Sequence, residues 1–264
     1  MTIAFYLPGY IPVYAFSLLL GAGAALGLGW LAWRSEPRAA RPRVVLGLAV
    51  LAGGLIGGRL AFVAVYAAYY RAHPNEILAL PLGGLSWPGA ALGGLLVWMA
   101  MAWLQKNALL QTADVLVPLF ASISLAAWLG CWLDGCAYGQ PSEAWYALPA
   151  VDEWGNLAPR WPLQPLGALL SLLILIAHDW ARTRAGQPYP GRVASFGFLA
   201  LALAWWLLTT LRADPAPRWN GQRLDAWAAL GFLLLAAILA IASLKSQVEN
   251  CESGIENRES RIRN

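Results

Sequence analysis

Residues 80–94 read LPLGGLSWPGAALGG, an apolar run that contains five glycines and two prolines. The pair Gly83-Gly84 can adopt backbone angles that other residues avoid. Pro88 is compatible with the first turn of a helix but not with its interior. The stretch therefore predicts a shaped, irregular segment that leads into a glycine-rich helix.

The composition around this segment is that of a membrane protein. The 264 residues are 59% hydrophobic and only 12% charged, whereas soluble domains carry roughly 25% charged residues. Apolar runs of about 20 residues are typical of membrane-spanning helices. We therefore predict an all-α polytopic membrane protein with about seven transmembrane helices. The predicted spans are 11–33, 44–70, 88–105, 113–133, 164–181, 192–211 and 226–244.

The ends of the chain complete the predicted organisation. The first apolar run lacks the short core and small-residue cleavage site of a signal peptide, so we expect an uncleaved span. Residues 1–245 form one seven-helix domain in this prediction. The polar tail 246–264 is compatible with a frayed helix or with disorder.

The basic residues predict the orientation of the bundle. With the N-terminus outside, twelve of the 18 Lys and Arg residues flank the cytoplasmic ends of the spans and five flank the outer ends. This bias favours an N-out/C-in topology. The net charge of +4 follows from that asymmetry, and it gives no argument for nucleic acid as a partner.

Arg59 is the most informative polar residue within a predicted span. An arginine at this depth is costly unless it faces a partner or a wet cavity, and glycines on both sides allow close approach of another backbone. One interpretation is an ion pair with Asp114 or Asp134, at the two ends of the fourth span. The other is a pocket for an anionic group such as a lipid phosphate. In either case we expect Arg59 to lie inside the bundle beside a polar group.

The cysteines and histidines give weaker signals. Cys131 and Cys136 enclose the sequence CWLDGC, which is compatible with a disulfide or with two small apolar side chains. His73 and His178 are the two histidines, and neither has metal-ligand spacing, so we expect no metal. The sequence suggests no cofactor. His73, beside Pro74 in an outer loop, is a candidate base.

Residues 57–94 resemble the second and third spans of prolipoprotein diacylglyceryl transferases. That family has a Gly-Arg-Leu span, a turn similar to Asn-Pro-x-Glu, and a Gly-Gly-Leu-Ser loop that enters a glycine-rich helix. The resemblance continues through ADVLVP (113–118), LGCWLDGCAYGQP (129–141) and PLQPLGALL (162–170). Tyr14 lies where the family has a tyrosine in its first span.

The resemblance implies lipid chemistry at the outer face of a bacterial inner (plasma) membrane. The family moves the diacylglyceryl group of phosphatidylglycerol onto the cysteine thiol of a prolipoprotein signal peptide, and glycerol phosphate leaves. The implied partners are a phospholipid similar to phosphatidylglycerol, a prolipoprotein signal peptide and the membrane. In the family the Gly-Gly-Leu-Ser loop lines the cavity, where irregular backbone is tolerated at membrane depth.

The sequence departs from the family where the chemistry is expected. The family's histidine, two arginines, two asparagines and two glutamates are replaced. The replacements are Pro88 for the histidine; Trp128 and Trp205 for the arginines; Cys131 and Asp134 for the asparagines; and Cys136 and Thr209 for the glutamates. Proline and tryptophan can neither clamp a phosphate nor act as a base. We expect Pro88, Trp128 and Trp205 to cluster and to fill part of the family site.

The candidate lipid-binding residues are those that the resemblance retains, together with polar neighbours; no catalytic residue is assigned. They are Tyr14, Arg59, Gly83, Gly84, Ser86, Gly89, Asp114 and Asp134, with His73, Cys131, Cys136 and Arg212 as weaker candidates. We expect Arg59 to mark an outer-leaflet cavity with walls from 83–94, and the acidic loop 139–163 to cap its mouth.

These residues leave three alternative interpretations of the function open. The chain is a diacylglyceryl transferase that uses other groups, a catalytically inactive relative that binds phospholipid or lipoprotein, or a structural membrane protein that keeps only the fold.

Overall fold

The computed structural model describes residues 2–8, 11–79, 83–105, 109–152, 154–184 and 191–263, with side chains to Lys245 except at positions 7, 11, 110 and 111. Within these residues, seven helices are long and apolar enough to cross a membrane. The helices are α1 (Ala15–Trp33), α2 (Pro37–Val65), the short α3 (Ala67–Ala72), α4 (Trp87–Leu104), α5 (Leu109–Asp134), α6 (Leu163–Arg184), α7 (Arg192–Thr210) and α8 (Leu224–Arg263). The prediction of an all-α polytopic membrane protein is confirmed.

Three small antiparallel hairpins accompany the helices. They are formed by β1 (Ile3–Leu7) with β2 (Ile11–Tyr14), β3 (Leu148–Val151) with β4 (Leu157–Arg160), and β5 (Arg218–Trp219) with β6 (Gln222–Arg223). The first hairpin corrects the predicted start of the first span at residue 11, because α1 begins only at Ala15. Pro12 is unfavourable in a helix interior and is accommodated in β2.

The helix α5 lies at the centre of the bundle. It packs against α1, α6 and α7, while α2 pairs with α4, and α8 packs on α7. Leu116, Val117, Leu119 and Ala121 of α5 have no exposed surface. This central helix carries a core that it shares with α1, α2, α4, α6 and α7, whereas α8 packs on α7.

Contacts along the helices define two ends of the bundle. Gly167 and Ser171 of α6 contact Trp128 and Ser124 of α5 in reverse order, and Ser195 near the start of α7 contacts Ser243 late in α8. Successive spans therefore alternate in direction. We call the end where α1, α4, α6 and α8 begin the hairpin end, because all three hairpins lie there. The other end is the opposite end.

Glycines bring α2 and α4 into backbone contact. A Cβ added to Gly57 would lie 2.5 Å from the Gly89 carbonyl oxygen, and one on Gly93 would lie 2.3 Å from the Gly53 carbonyl oxygen. Small residues of this kind allow close helix packing in membranes. Gly89 is buried in the α2–α4 contact, and its role in lining a lipid cavity stays a prediction.

Asp114 belongs to the opposite end. Its two carboxylate oxygens accept hydrogen bonds from the backbone amides of Gly191 and Ala194, each at 2.8 Å, and so cap the start of α7. Asp134 lies 20 residues further along α5, which is about 30 Å of helix. The grouping of Asp114 with Arg59 in one site is therefore wrong.

Residues 246–263 of the polar tail continue α8. Its backbone is helical as far as Arg263.

Candidate functional site

Arg59 lies near the end of α2, at the hairpin end, and only 6% of its surface is exposed. Its guanidinium donates hydrogen bonds to backbone carbonyl oxygens of the loop that follows α3. The acceptors are Ile77 for Nε (2.7 Å), Gly83 and Gly84 for Nη1 (2.6 and 3.1 Å), and Glu76 and Ala79 for Nη2 (2.5 and 3.5 Å). The expectation of a buried Arg59 beside polar groups is confirmed.

These contacts satisfy the donors of the arginine without a carboxylate. A guanidinium has five N–H groups, and five carbonyl oxygens surround this one. Asp114 and Asp134 have other partners, so the predicted ion pair with Arg59 is wrong. Binding of a lipid phosphate by Arg59 stays a prediction, and it requires a carbonyl to release one of these N–H groups.

The paired glycines give the loop the shape that this contact needs. Gly83 and Gly84 have φ angles of +79° and +83°, in the left-handed region that favours glycine. A Cβ on Gly84 would lie 2.6 Å from the Phe62 ring and 2.8 Å from Nη1 of Arg59. The irregular backbone of residues 83–86 thus surrounds one buried cation. We call residues 76–79 and 83–86 the Arg59 loop.

Ser86 and His73 lie at the borders of this loop. The Ser86 amide donates to the Gly58 carbonyl at 3.0 Å, which returns the chain to α2. His73 is exposed and stacks on Tyr69, with ring centroids 4.5 Å apart. The Tyr69 hydroxyl donates to Glu76 at 2.8 Å, and this hydrogen bond raises the pKa of Tyr69.

Aromatic rings fill the adjacent part of the bundle. The centroid of the Trp205 ring lies 4.8 Å from that of Trp87 and 5.1 Å from that of Trp128, and Phe232 lies 6.2 Å from Trp87. We call these four residues the aromatic layer. The predicted cluster of Trp128 and Trp205 is confirmed, and Pro88 lies next to it as the neighbour of Trp87 in the first turn of α4.

The aromatic layer is closely packed on neighbouring helices. Trp128 is 2% exposed, and a Cβ on Gly167 of α6 would lie 2.3 Å from its ring. Trp205 Nε1 donates to the Ser124 hydroxyl at 2.8 Å, and that hydroxyl lies 2.8 Å from the hydroxyl of Ser171. Two of the positions that the resemblance gives to polar site residues, those of Trp128 and Trp205, are thus occupied by packed rings.

Two polar atoms near the aromatic layer are buried without a hydrogen-bond partner among the described residues. They are the Trp87 indole nitrogen and the Thr209 hydroxyl. Thr209 stands where the resemblance places a glutamate. A threonine hydroxyl is a hydrogen-bonding group without a titratable proton near neutral pH, so it supplies neither the acid nor the base of that position.

Cys131 and Cys136 form a disulfide, with Cα atoms 4.5 Å apart. The alternative of two unbonded side chains is therefore wrong. Gly135, at φ +70°, turns the chain at the end of α5, and the Cys136 amide donates to the Cys131 carbonyl at 3.0 Å. A bonded cysteine offers no thiolate, so this pair fixes the end of the helix and supplies no nucleophile.

Asp134 and Tyr14 position the N-terminal hairpin. The Asp134 carboxylate accepts a hydrogen bond from the Thr2 amide at 2.6 Å, and the Thr2 hydroxyl donates to the Leu133 carbonyl at 3.0 Å. Tyr14 pairs with Ile3 across the hairpin, directly before α1. The hairpin is thereby docked on the end of α5.

A compact charge cluster joins α7 to α8. Arg212 contacts Asp214 at 2.6 Å and Asp225 at 3.3 Å, and Arg223 contacts Asp225 at 3.0 Å and Asp214 at 3.5 Å. Burial alone lowers the pKa of Arg223, but the two carboxylates outweigh burial and raise it. Two cations and two anions balance, so Arg212 is a neutralised group here.

The sequence contained a signal for this cluster that our reasoning missed. Arg212-Ala-Asp214 and Arg223-Leu-Asp225 repeat one Arg-x-Asp pattern eleven residues apart. The carbonyl oxygens around Arg59 carry no such signal, because every residue has one.

Comparison with known proteins shows the family to which this chain belongs. The family model described as prolipoprotein diacylglyceryl transferase matches residues 2–242. The chain is similar to proteins named phosphatidylglycerol–prolipoprotein diacylglyceryl transferase. In Azoarcus sp. (strain BH72) the identity is 30% over 191 residues, which cover 72% of this chain and 69% of the relative. In Corynebacterium efficiens it is 28% over 254 residues, 88% of this chain and 78% of the relative. In Burkholderia lata the identity is 35% over 230 residues, which cover 75% of this chain and 77% of the relative.

Proposed function

The chain belongs to the prolipoprotein diacylglyceryl transferase family, and we propose that it transfers the diacylglyceryl group of phosphatidylglycerol to the cysteine thiol of a prolipoprotein. The observation that carries this proposal is the family match over residues 2–242, which includes six spans, most of the seventh and the Arg59 loop. Relatives with this name cover most of the chain.

The hairpin end is the proposed location of the reaction, facing the outside of a bacterial inner membrane. The excess of basic residues at the opposite end supports this orientation. The Cys131–Cys136 disulfide supports it as well, because such bonds persist in oxidising compartments.

The proposed step breaks one C–O bond and forms one C–S bond. The cysteine thiol gives its proton to a base. The sulfur then attacks the carbon of the diacylated glycerol that is bonded to the phosphate oxygen. The electrons of the broken C–O bond leave with glycerol phosphate. The reaction therefore needs a proton acceptor for the thiol and a cation for the leaving phosphate.

The described residues offer a limited set of groups for these tasks. His73 Nδ1 lies 3.2 Å from the Tyr69 carbonyl oxygen. If it donates to that oxygen, Nε2 is the free acceptor for a proton. Among the described residues, the cations of this end that are not exposed are the buried Arg59, Arg160 and Arg223 and the half-buried Arg212. Each is already bonded to oxygen atoms, so a phosphate binds there only by displacing a carbonyl or carboxylate.

The test is a transferase assay with the purified chain. The protein is reconstituted in phosphatidylglycerol vesicles with a synthetic prolipoprotein peptide that contains one cysteine. We expect mass spectrometry to show a diacylglyceryl group on that cysteine. The same peptide with serine in place of cysteine, and vesicles of phosphatidylethanolamine, are the controls. Absence of product with folded protein contradicts the proposal.

A second candidate is a family member that binds phospholipid without turnover. It is favoured by the aromatic layer and the disulfide, which occupy positions that the resemblance gives to polar site residues. For this candidate we expect phosphatidylglycerol to co-purify with the protein while the transferase assay gives no product. Product formation rules it out.

A further inference from the structure

Residues 144–161 contain β3, β4 and the turn before them; we call this segment the β3–β4 hairpin, and most of its large apolar side chains are exposed. Trp145 is 95% exposed, Trp154 74% and Leu157 69%, and Leu148 and Val151 are 42% exposed each. None of these residues belongs to a membrane-spanning helix. They form an exposed apolar surface on a segment that our sequence analysis assigned to an acidic cap.

The charged side chains that the structure describes in the same hairpin are buried. Among the described residues of 144–161, the charged side chains are Asp152 and Arg160, which are 9% and 8% exposed and form an ion pair at 3.2 Å. Asp152 also accepts hydrogen bonds from the amides of Trp154 and Asn156. Arg160 lies over the Tyr138 ring, 4.6 Å from its centroid. Glu153, a further acid of the predicted cap, lies outside the described residues.

This arrangement is the reverse of what water favours. A hairpin in water gains by burying apolar surface and by leaving charges hydrated. Exposed apolar patches on such segments mark a contact surface for a protein or a membrane. Tryptophan in particular favours the membrane–water interface, where its ring meets lipid and its N–H meets polar groups.

The other two hairpins indicate which partner covers this surface. Phe5 and Tyr6 of β1 are 46% and 59% exposed, and Trp219 of β5 is 64% exposed. All three hairpins of this end thus present aromatic rings outward, and a lipid surface is a single partner that contacts all of them. In addition, β4 ends at Arg160 and α6 begins at Leu163, so the hairpin continues directly into a membrane span.

We propose that the β3–β4 hairpin lies in the interfacial layer of the bilayer, with Trp145, Trp154 and Leu157 in contact with lipid. The buried Asp152–Arg160 pair stabilises the hairpin from inside and removes its charges from the lipid surface. Apolar faces of interfacial elements enter the headgroup and acyl boundary by about 5–10 Å. This inference does not depend on transferase activity.

Spin labels on single cysteines test the position of the hairpin. The background is Cys251→Ser, with the Cys131–Cys136 bond intact, in proteoliposomes of phosphatidylcholine and phosphatidylglycerol. Labels are placed at Trp145→Cys and Leu157→Cys. The lipid reference is Leu234→Cys, on the exposed side of α8. The water reference is Glu143→Cys, an exposed acid just before the hairpin.

Accessibility to oxygen, which concentrates in lipid, and to a nickel complex, which stays in water, gives the result. We expect both hairpin labels to resemble Leu234→Cys, with nickel accessibility several-fold lower than at Glu143→Cys. Labels that match Glu143→Cys overturn the proposal. Labels shielded from both reagents also overturn it, because they indicate that protein covers the hairpin. Trp145→Cys keeps the test valid if Leu157→Cys does not fold, since Trp145 is almost fully exposed.

Discussion

The Arg59 loop and the aromatic layer are neighbours at the hairpin end, yet different interactions hold the two regions together. In the loop, backbone carbonyls of Glu76, Gly83 and their neighbours surround one buried cation. In the layer, the rings of Trp87, Trp128 and Trp205 pack against each other, with one indole–hydroxyl hydrogen bond. The loop depends on a single side chain and on left-handed glycines, whereas the layer depends on shared volume. The two regions should therefore respond differently to substitution.

Removing the guanidinium should have the largest effect. Arg59→Gln removes most of the donors that hold the carbonyl oxygens of the Arg59 loop at a buried position, and we expect a loss of about 3–5 kcal/mol in the free energy of unfolding. Arg59→Lys should recover only part of this, because an ammonium group lacks the planar fork of donors. Unfolding in detergent measures both. Arg71→Gln, an exposed arginine of α3, is the matched control. Equal effects at positions 59 and 71 would contradict the role of the loop.

Adding a side chain to the tight contact between α2 and α4 should cause the second largest loss of stability. A Cβ at Gly89 would lie 2.3 Å from Ala61 Cβ and 2.5 Å from the Gly57 carbonyl oxygen, so Gly89→Ala should cost about 1–3 kcal/mol. Gly29→Ala in α1, where no atom lies within 4 Å of the added Cβ, should be neutral or stabilising. Thermal unfolding of the two variants separates the outcomes. A neutral Gly89→Ala would show that the helices can move apart freely.

The aromatic layer should tolerate a change that keeps an aromatic ring at the same position. Trp205→Phe removes the hydrogen bond to Ser124 but leaves Ser124 beside Ser171, so we expect a loss of about 1 kcal/mol. Trp145→Phe, at the exposed position, is the control and should leave unfolding unchanged. If Trp205→Phe instead destabilised the protein as much as Arg59→Gln, the contrast between loop and layer would fail.

The smallest effect concerns pH and the β3–β4 hairpin. Burial by itself raises the pKa of Asp152, but hydrogen bonds from Asn156 and Trp154 and the charge of Arg160 outweigh burial and lower it. The carboxylate therefore contributes its full stabilisation above the ordinary carboxyl pKa of about 3.9. That contribution is lost as the pH falls from there through the lower pKa of the folded state.

The mobility of a spin label at Leu157→Cys reports this loss. We expect mobility to rise as the pH falls below about 4. With Asp152→Asn added, the label should be mobile at all pH values. An unchanged pH profile in that variant would show that another group titrates.

The sequence predicted the spans well because the thickness of the bilayer dictates their length and apolar character. It also predicted that Arg59 is buried, since a guanidinium in lipid is costly. Its partners could not be predicted, because backbone carbonyls leave no residue pattern. The sequence alone could not decide whether the disulfide forms, because the bond depends on the left-handed turn at Gly135, which ends α5 and brings Cys136 back to Cys131. Asp114 was misplaced because a polar residue at a span end does not reveal which site it serves.

The measurement that most directly tests the assigned function is complementation in a bacterium depleted of its own prolipoprotein diacylglyceryl transferase. The chain is expressed there at a level verified in the membrane fraction, beside an empty vector and the Arg59→Gln variant. We predict restored growth and a diacylglyceryl-modified prolipoprotein cysteine for the wild-type chain, and for neither control. Unmodified prolipoprotein in cells that contain the folded wild-type chain in their membrane would contradict the account.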